Sequence, residues 1–491
     1  MRTVSQSIAI SVLLALVAVD ARGAAPDRSK PPEAGTPKPF TIPQPTVFTL
    51  KNGLTVWHVA RKRAPLVDVR AVIDAGPLFD PADRPGLAKW TADLLTEGSG
   101  GMSAVAFSDA VQTLGAEVAS TTDIDNAWAS LHVTSARFAP ALKLFAQALL
   151  RPDFADAEWR RVRGQIFGEM MYQSQEPQEL AKLAAQRANW GAEHRLGSAI
   201  GGTPRALVQV SPAELKAFHA AHYRPDTTTL IVVGDIEQVA LTKLLEAELG
   251  TWSASGPAPA APVLRGPLAR STRALYTVQV PDAPQTVVRV AIPAPAGTLP
   301  FTADEDVMNT LLGASFTSRL NTNLRETHGY SYGAGSRVSI NRAGAVFMVM
   351  SSVNAPTTAP ALAEIMIELE RIRAPATDEE TVRARNVAAL TVPSAFDSGR
   401  ATAAQWADFA AQKLDRARLQ QFVDGAQQVD AKALQAAALR LVRPDEAALI
   451  AVGDVAQHGK GIPGIERAVV LSVDDLLPGL AEAAAALGGE G

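Results

Sequence analysis

Hydrophobic positions along the chain keep two rhythms. Alternation marks "LTVWHVA" and "VDVRAVIDAG" early and "TVVRVAIPAP" much later, the period of half-buried strands. Helical spacing marks "GLAKWTADLLTEG", "PALKLFAQALL" and, in the later part, "ADEDVMNTLLGASF". One composite pattern then occurs twice. "VSPAELKAFHAAHYRPDTTTLIVVGDIE" from Val210 and "VDAKALQAAALRLVRPDEAALIAVGDVA" from Val429 lie 219 residues apart without a gap, and 11 of 28 positions are identical. Each copy predicts an amphipathic helix, an Arg-Pro-Asp turn and an apolar strand closed by Gly-Asp. So long a period is no solenoid repeat; it predicts an α+β fold of two homologous sheet-and-helix domains made by internal duplication.

Between the copies, "SASGPAPAAPVLRGPLA" has no periodicity and the composition of a semi-rigid linker. At the start, one arginine precedes "SIAISVLLALVAV", an apolar run too short to span a bilayer, and Ala21 and Gly23 make a small-x-small cleavage pattern. The predicted organisation is a signal peptide over residues 1–23 and a flexible segment over 24–44. An N-terminal domain over 45–252, a linker over 253–269 and a C-terminal domain over 270–480 follow. Export is expected, to the periplasm if the host is Gram-negative, with no membrane association of the mature form.

The 491 residues are too many for one ordinary core. Forty-six basic residues against 50 acidic leave no excess positive charge for nucleic acid. No cysteine is present, which removes disulfides, thiol catalysis and cysteine-ligated zinc. Seven histidines remain, and only His219 and His222 stand close together. At i, i+3 on a helix they could share a metal, yet no third ligand lies at suitable spacing. The second copy has Ala438 and Leu441 there, so a polar helix edge is the expected reading.

Two stretches carry the candidate chemistry. "GLAKWTADLL", from Gly86, reads by itself as a buried helix, and "LRETHGYSYGAGSR", from Leu324, gathers an arginine, a histidine and two tyrosines among small residues. With "NGLTVWHV" before the first stretch and "TLGAEVASTTDIDNAWASLHV" after it, the chain resembles the pitrilysin-type (inverzincin) zinc metallopeptidases, which include the mitochondrial processing peptidase. That family's zinc helix carries His-x-x-Glu-His after Gly-Leu-Ala, two histidines as ligands and a glutamate that activates the metal-bound water. In this register the positions hold Lys89, Ala92 and Asp93, and the family's third ligand falls on Glu169. One ligand of three remains, the general base is missing, and a lysine ammonium repels a divalent cation. The resemblance therefore implies a degenerate zinc site with no metal of its own, in which Lys89 pairs with Asp93 or Glu169.

The second stretch matches the family's Arg-Glu-x-x-Gly-x-x-Tyr through Arg325, Glu326, Gly329 and Tyr332. In the family this arginine and tyrosine bind the substrate backbone and stabilise the oxyanion at a zinc site on an opposing domain, which calls for a cation and a neutral hydroxyl donor together. From residue types alone, a capping arginine and a core tyrosine would serve as well. The resemblance spans about residues 45 to 455. It implies a non-catalytic subunit of an exported heterodimeric zinc peptidase acting on peptides. A homologous His-x-x-Glu-His partner would hold the zinc, and Arg325 and Tyr332 would act in trans. A stand-alone peptide-binding or chaperone-like protein and a structural assembly protein are the competing expectations.

Overall fold

The computed structural model describes residues 40–260, 262–295 and 302–487; the expected signal peptide lies outside them. Among the described residues no helix is long and apolar enough to cross a membrane.

The duplication appears as two six-stranded sheets. The first half contributes β1 (Thr46–Thr49), β2 (Thr55–Ala60), β3 (Leu66–Ile73), β4 (Glu117–Thr122), β5 (Ala127–Thr134) and β6 (Thr228–Gly234), in the order β1-β2-β6-β3-β5-β4. The second contributes β7 (Ala274–Gln279), β8 (Gln285–Pro293), β9 (Ser331–Asn341), β10 (Gly344–Asn354), β11 (Ala448–Gly453) and β12 (Val469–Val470), in the order β12-β7-β11-β8-β10-β9. Adding 219 to β2, β3, β4, β5 or β6 lands on β7, β8, β9, β10 or β11. The central strands β6 and β11 are buried nearly throughout and read as continuous apolar runs, as strands covered on both faces must.

The helices relevant here are α1 (Leu87–Asp93), α2 (Phe138–Leu150), α3 (Asp156–Gln173), α4 (Pro177–Trp190) and α5 (Pro212–His222) in the first half. The second half has α6 (Ala303–Asn309), α7 (Thr358–Arg371), α8 (Asp378–Ser394), α9 (Gly399–Ala411) and α10 (Ala431–Leu441). Helices α1, α2 and α3 cover one face of the first sheet, and α6, α7 and α8 cover the matching face of the second. The opposite faces are covered by exchange. Helix α4 of the first half packs on β8 and β11 of the second sheet, and α9 of the second half packs on β3 and β6 of the first. Alanines 181, 184, 185 and 188 let α4 approach closely, while Leu180 and Leu183 fill the gaps, each worth about 1.5–3 kcal/mol of burial. The sheets are consequently interlocked, and the described residues from Thr41 onward form one compact unit. The segment 253–269 carries no helix or strand among its described residues.

Candidate functional site

Helix α1 is short and held hard at its start. Gly86 caps it with φ +101°, a left-handed backbone, and a Cβ there would sit 2.5 Å from the Trp90 ring. The Asp80 carboxylate accepts from the Gly86 and Ala88 N–H groups, both at 2.7 Å, and burial pushes its pKa up to about 7. Leu87, Trp90 and Leu94 turn into the core, which leaves Lys89 and Asp93 along the partly open face.

There Lys89 and Asp93 form an i, i+4 ion pair, with Lys89 Nζ 2.6 Å from Asp93 Oδ2. Burial pushes the Asp93 carboxyl up, Lys89 pulls it back, and the charges of Glu169 and Glu97 add to the rise. The structure thus makes one of the two pairings open to Lys89 and brings the exposed Glu169 of α3 within electrostatic reach of Asp93. Ala92 is fully buried, with its carbonyl accepting the Ser120 hydroxyl at 2.5 Å. This donor set does not fit zinc. It offers an ammonium already engaged with one carboxylate, a second carboxylate outside that ion pair and no imidazole. Among the described residues no group of three or more His, Asp or Glu side chains is placed to hold a metal.

His219 and His222 are packing residues. His219 Nε2 lies 2.9 Å from the Leu149 carbonyl and its ring stacks on Tyr223; His222 stacks on Phe218 and lies against Phe79. Burial lowers both imidazoles to about 4, so they remain neutral at physiological pH.

The second stretch is built differently. Residues Thr322–Thr327 form a wide π-helical turn, a local form common at functional sites. Buried Leu324 pins the turn to the core, and the Tyr330 N–H donates to the Leu324 carbonyl at 2.8 Å. Gly329 at φ +64° then swings the chain into β9. Strand β9 starts five residues before the position equivalent to the start of β4. In that extension the pairing slips: Ser331 faces Val353 and Ala334 faces Ser351, one extra residue on β9. Such a bulge re-aims side chains. Tyr332 lies in it and is 90% exposed.

Glycine and bulge together put Arg325 and Tyr332 on the rim of one open pocket of about 570 Å³. The Arg325 guanidinium lies over the Phe316 ring, 4.4 Å from its centre, with the Glu326 carboxylate 3.3 Å from Nε. Phe316, 72% exposed, went unrecognised in the sequence, although its setting in "LLGASFTSRLNTNL" offered a signal: an apolar ring next to small and polar residues. A bidentate pair between buried Arg319 and Glu380, 2.9 Å at both contacts, anchors the segment from behind and holds the Glu380 carboxyl down at about 2. His328 stacks on Tyr330 and faces Glu364 at 3.8 Å, outside the pocket rim. Arg325 and Tyr332 are thereby brought together. Lys89 lines a separate cavity, and Ala92, Asp93 and Glu169 line neither.

Comparison with known proteins accounts for both halves. Residues 56–203 match the model of insulinase (peptidase family M16), and residues 209–388 match that of the peptidase M16 inactive domain. An uncharacterised zinc protease of Mycobacterium tuberculosis is 24% identical over 309 residues, 63% of this chain and 70% of that one. A probable mitochondrial-processing peptidase β subunit of Arabidopsis thaliana is 22% identical over 360 residues, 71% of this chain and 66% of that one. Among solved structures, a peptidase M16 inactive domain from Pseudomonas fluorescens superposes with TM-score 0.77 at 25% identity, over 83% of this chain and 98% of that one. A protease from Helicobacter pylori shares the fold with TM-score 0.77 at 19% identity, over 84% and 100% of the two chains. With two homologous sheets, family matches across both halves and no His-x-x-Glu-His, the chain belongs to the M16, pitrilysin-type, metallopeptidase family as a member without the catalytic motif.

Proposed function

We propose that this protein is the non-catalytic subunit of an exported heterodimeric zinc peptidase and lends Arg325 and Tyr332 to the active site of a homologous partner. The observation that carries the proposal is the presentation of Tyr332: a bulge holds it 90% exposed beside Arg325, and it packs into no core among the described residues. A partner bearing His-x-x-Glu-His would hold zinc and with it the activated water. Arg325 would grip a carbonyl of the peptide, and the Tyr332 hydroxyl would donate to the oxygen that turns negative. The Phe316 ring would keep the guanidinium aimed, since an arginine stacked on an aromatic face loses freedom to swing. Strand β9 is one of the two outer strands of its sheet, so an extended peptide could be received there as an added strand. Peptides and unfolded segments are the substrate class of this reading.

The test is reconstitution. The purified chain should hydrolyse no peptide, and adding the homologous His-x-x-Glu-His chain from the same source should produce hydrolysis that depends on Arg325 and Tyr332. Full activity in a well-folded heterodimer carrying both Arg325→Ala and Tyr332→Phe would reduce this subunit to a scaffold. Hydrolysis unchanged by the presence of this chain would favour a stand-alone binding protein.

A further inference from the structure

Between the halves, where α4 lies across the second sheet, is a cavity of about 440 Å³ apart from the Arg325–Tyr332 pocket. Two arginines share its sheet wall. Arg289 on β8 pairs in register with Met350 and Arg337 on β9 with Met348, two residues apart on β10, so both side chains stand on the face that α4 covers. Neither has a carboxylate partner among the described residues. Arg289 is 8% exposed; among the described residues one terminal nitrogen donates to the Gln178 carbonyl at 3.2 Å, the other meets only the Met348 sulfur at 3.7 Å, and Nε has no partner. The exposed Arg337 guanidinium has no hydrogen-bond or ion-pair partner among the described residues. Burial, and then the neighbouring Arg337 charge, pull the Arg289 pKa down, with Glu179 opposing them.

The acidic groups nearby are already in use. Glu179 lies 3.5 Å from Lys182, and the Asp123 carboxylate takes the Asp125 and Asn126 N–H groups and the Trp128 indole. Across from the arginines, α4 supplies acceptors without donors. Asn189 is 2% exposed, and its Oδ1 and the Gln186 Oε1 are both sealed from solvent without a partner among the described residues. Leu183, Val346 and Met348 make the walls apolar. Orphaned buried polar groups are costly and rare, and the buried Arg289 guanidinium, beside a second arginine and without a carboxylate among the described residues, is the group here that an anion would satisfy.

We propose that this cavity binds the carboxylate of a peptide, a free C-terminus or an Asp or Glu side chain, flanked by an apolar residue. Arg289 and Arg337 would take the carboxylate oxygens, as guanidinium forks do, while Leu183, Val346 and Met348 receive the apolar neighbour. The choice of a peptide as ligand rests on the function proposed above, but the site lies wholly within this chain and needs neither partner nor catalysis. It would hold the acidic or terminal end of a chain away from the Arg325–Tyr332 rim.

Isothermal titration of the full chain alone with alanine–leucine hexapeptides tests it. Three acetylated forms are compared: free C-terminus, amidated C-terminus, and amidated with one internal glutamate. At least one carboxylate-bearing form should bind roughly tenfold tighter than the neutral amide, the worth of a charge-assisted hydrogen bond at a partly open site. Whichever form wins names the source of the carboxylate. Arg337→Gln, on an exposed side chain and so safe for folding, should erase the difference; His328→Ala, outside both pockets, should leave it intact. Equal binding of charged and neutral peptides, no binding of any peptide, or a preference that survives Arg337→Gln would each overturn the proposal. Because the readout is binding to the isolated chain, that failure would leave the partner-dependent reading standing.

Discussion

Helix α1 and the turn that carries Arg325 occupy the two halves of one duplicated plan, and they treat their charged groups in opposite ways. On α1, Lys89 and Asp93 satisfy each other and Ala92 is sealed in the core. On the turn, Arg325 rests against an exposed ring and a neighbouring glutamate, and Tyr332 extends into solvent. A group that works within its own chain is expected to find its partners there, because unpaired buried charge is expensive. A group that serves another molecule must stay available and must be held in place by other residues. The Arg319–Glu380 pair, the Gly329 turn and the β9 bulge do that holding, behind the site rather than in it.

Four changes would break or sharpen this contrast. The largest effect should follow Arg319→Ala, which strands Glu380 half-buried behind the turn: removal of one member of a buried pair costs about 3–5 kcal/mol, read as a drop in the denaturant midpoint. Next comes Tyr332→Phe in the reconstituted heterodimer, where the loss of one oxyanion donor lowers kcat about 10²- to 10³-fold with stability unchanged. His328→Ala, outside the pocket rim, should remain near the parent in the same assay, and a comparable loss there would mean that the whole turn, not the hydroxyl, had been disturbed. Third, Lys89→His with Asp93→His, Glu169 retained, replaces the internal ion pair by a ligand set, and metal analysis should show zinc retained through dialysis. Adding Ala92→Glu puts a carboxylate where nothing is exposed and should lower Tm. Zinc uptake no better than in the parent would show that α1 does not stand in the metal register.

The smallest effect concerns pH. Asp306, half-buried on α6, is raised to about 6 by burial. The raised value means that the folded state favours the protonated acid. Ionisation therefore costs stability as pH rises from about 4 through about 6, and the whole cost is present above that. Asp306→Asn should raise Tm modestly at pH 8 and scarcely at all near pH 4. An equal gain at both would place its cause in packing rather than charge.

How much of this could be read from the chain depends on range. The duplication, the strands flanking each Arg-Pro-Asp turn and the i, i+4 spacing of Lys89 and Asp93 are local patterns and were legible as written. The positions of Arg325 and Tyr332 were legible only through a family motif, because nothing in an arginine seven residues before a tyrosine dictates a shared pocket. That nearness depends on a π turn, a left-handed glycine and a slip between β9 and β10, and the last is a property of two strands together. The same reason hides the cavity wall: Arg289 and Arg337 meet only once β8 and β9 flank β10. The helix exchange was equally silent. The alanine-rich face of α4 announces close packing but not which sheet it packs on.

That exchange bears on the chain's ancestry. One half by itself would leave a six-stranded sheet with a bare apolar face, and its own α4-type helix would have nothing to lie against. Only a second copy could cure both faults, each lending a helix to the other, as swapped homodimers do. The present chain has the arrangement such a pair would acquire if fused end to end, one chain guaranteeing the stoichiometry that two free copies would have had to find by collision.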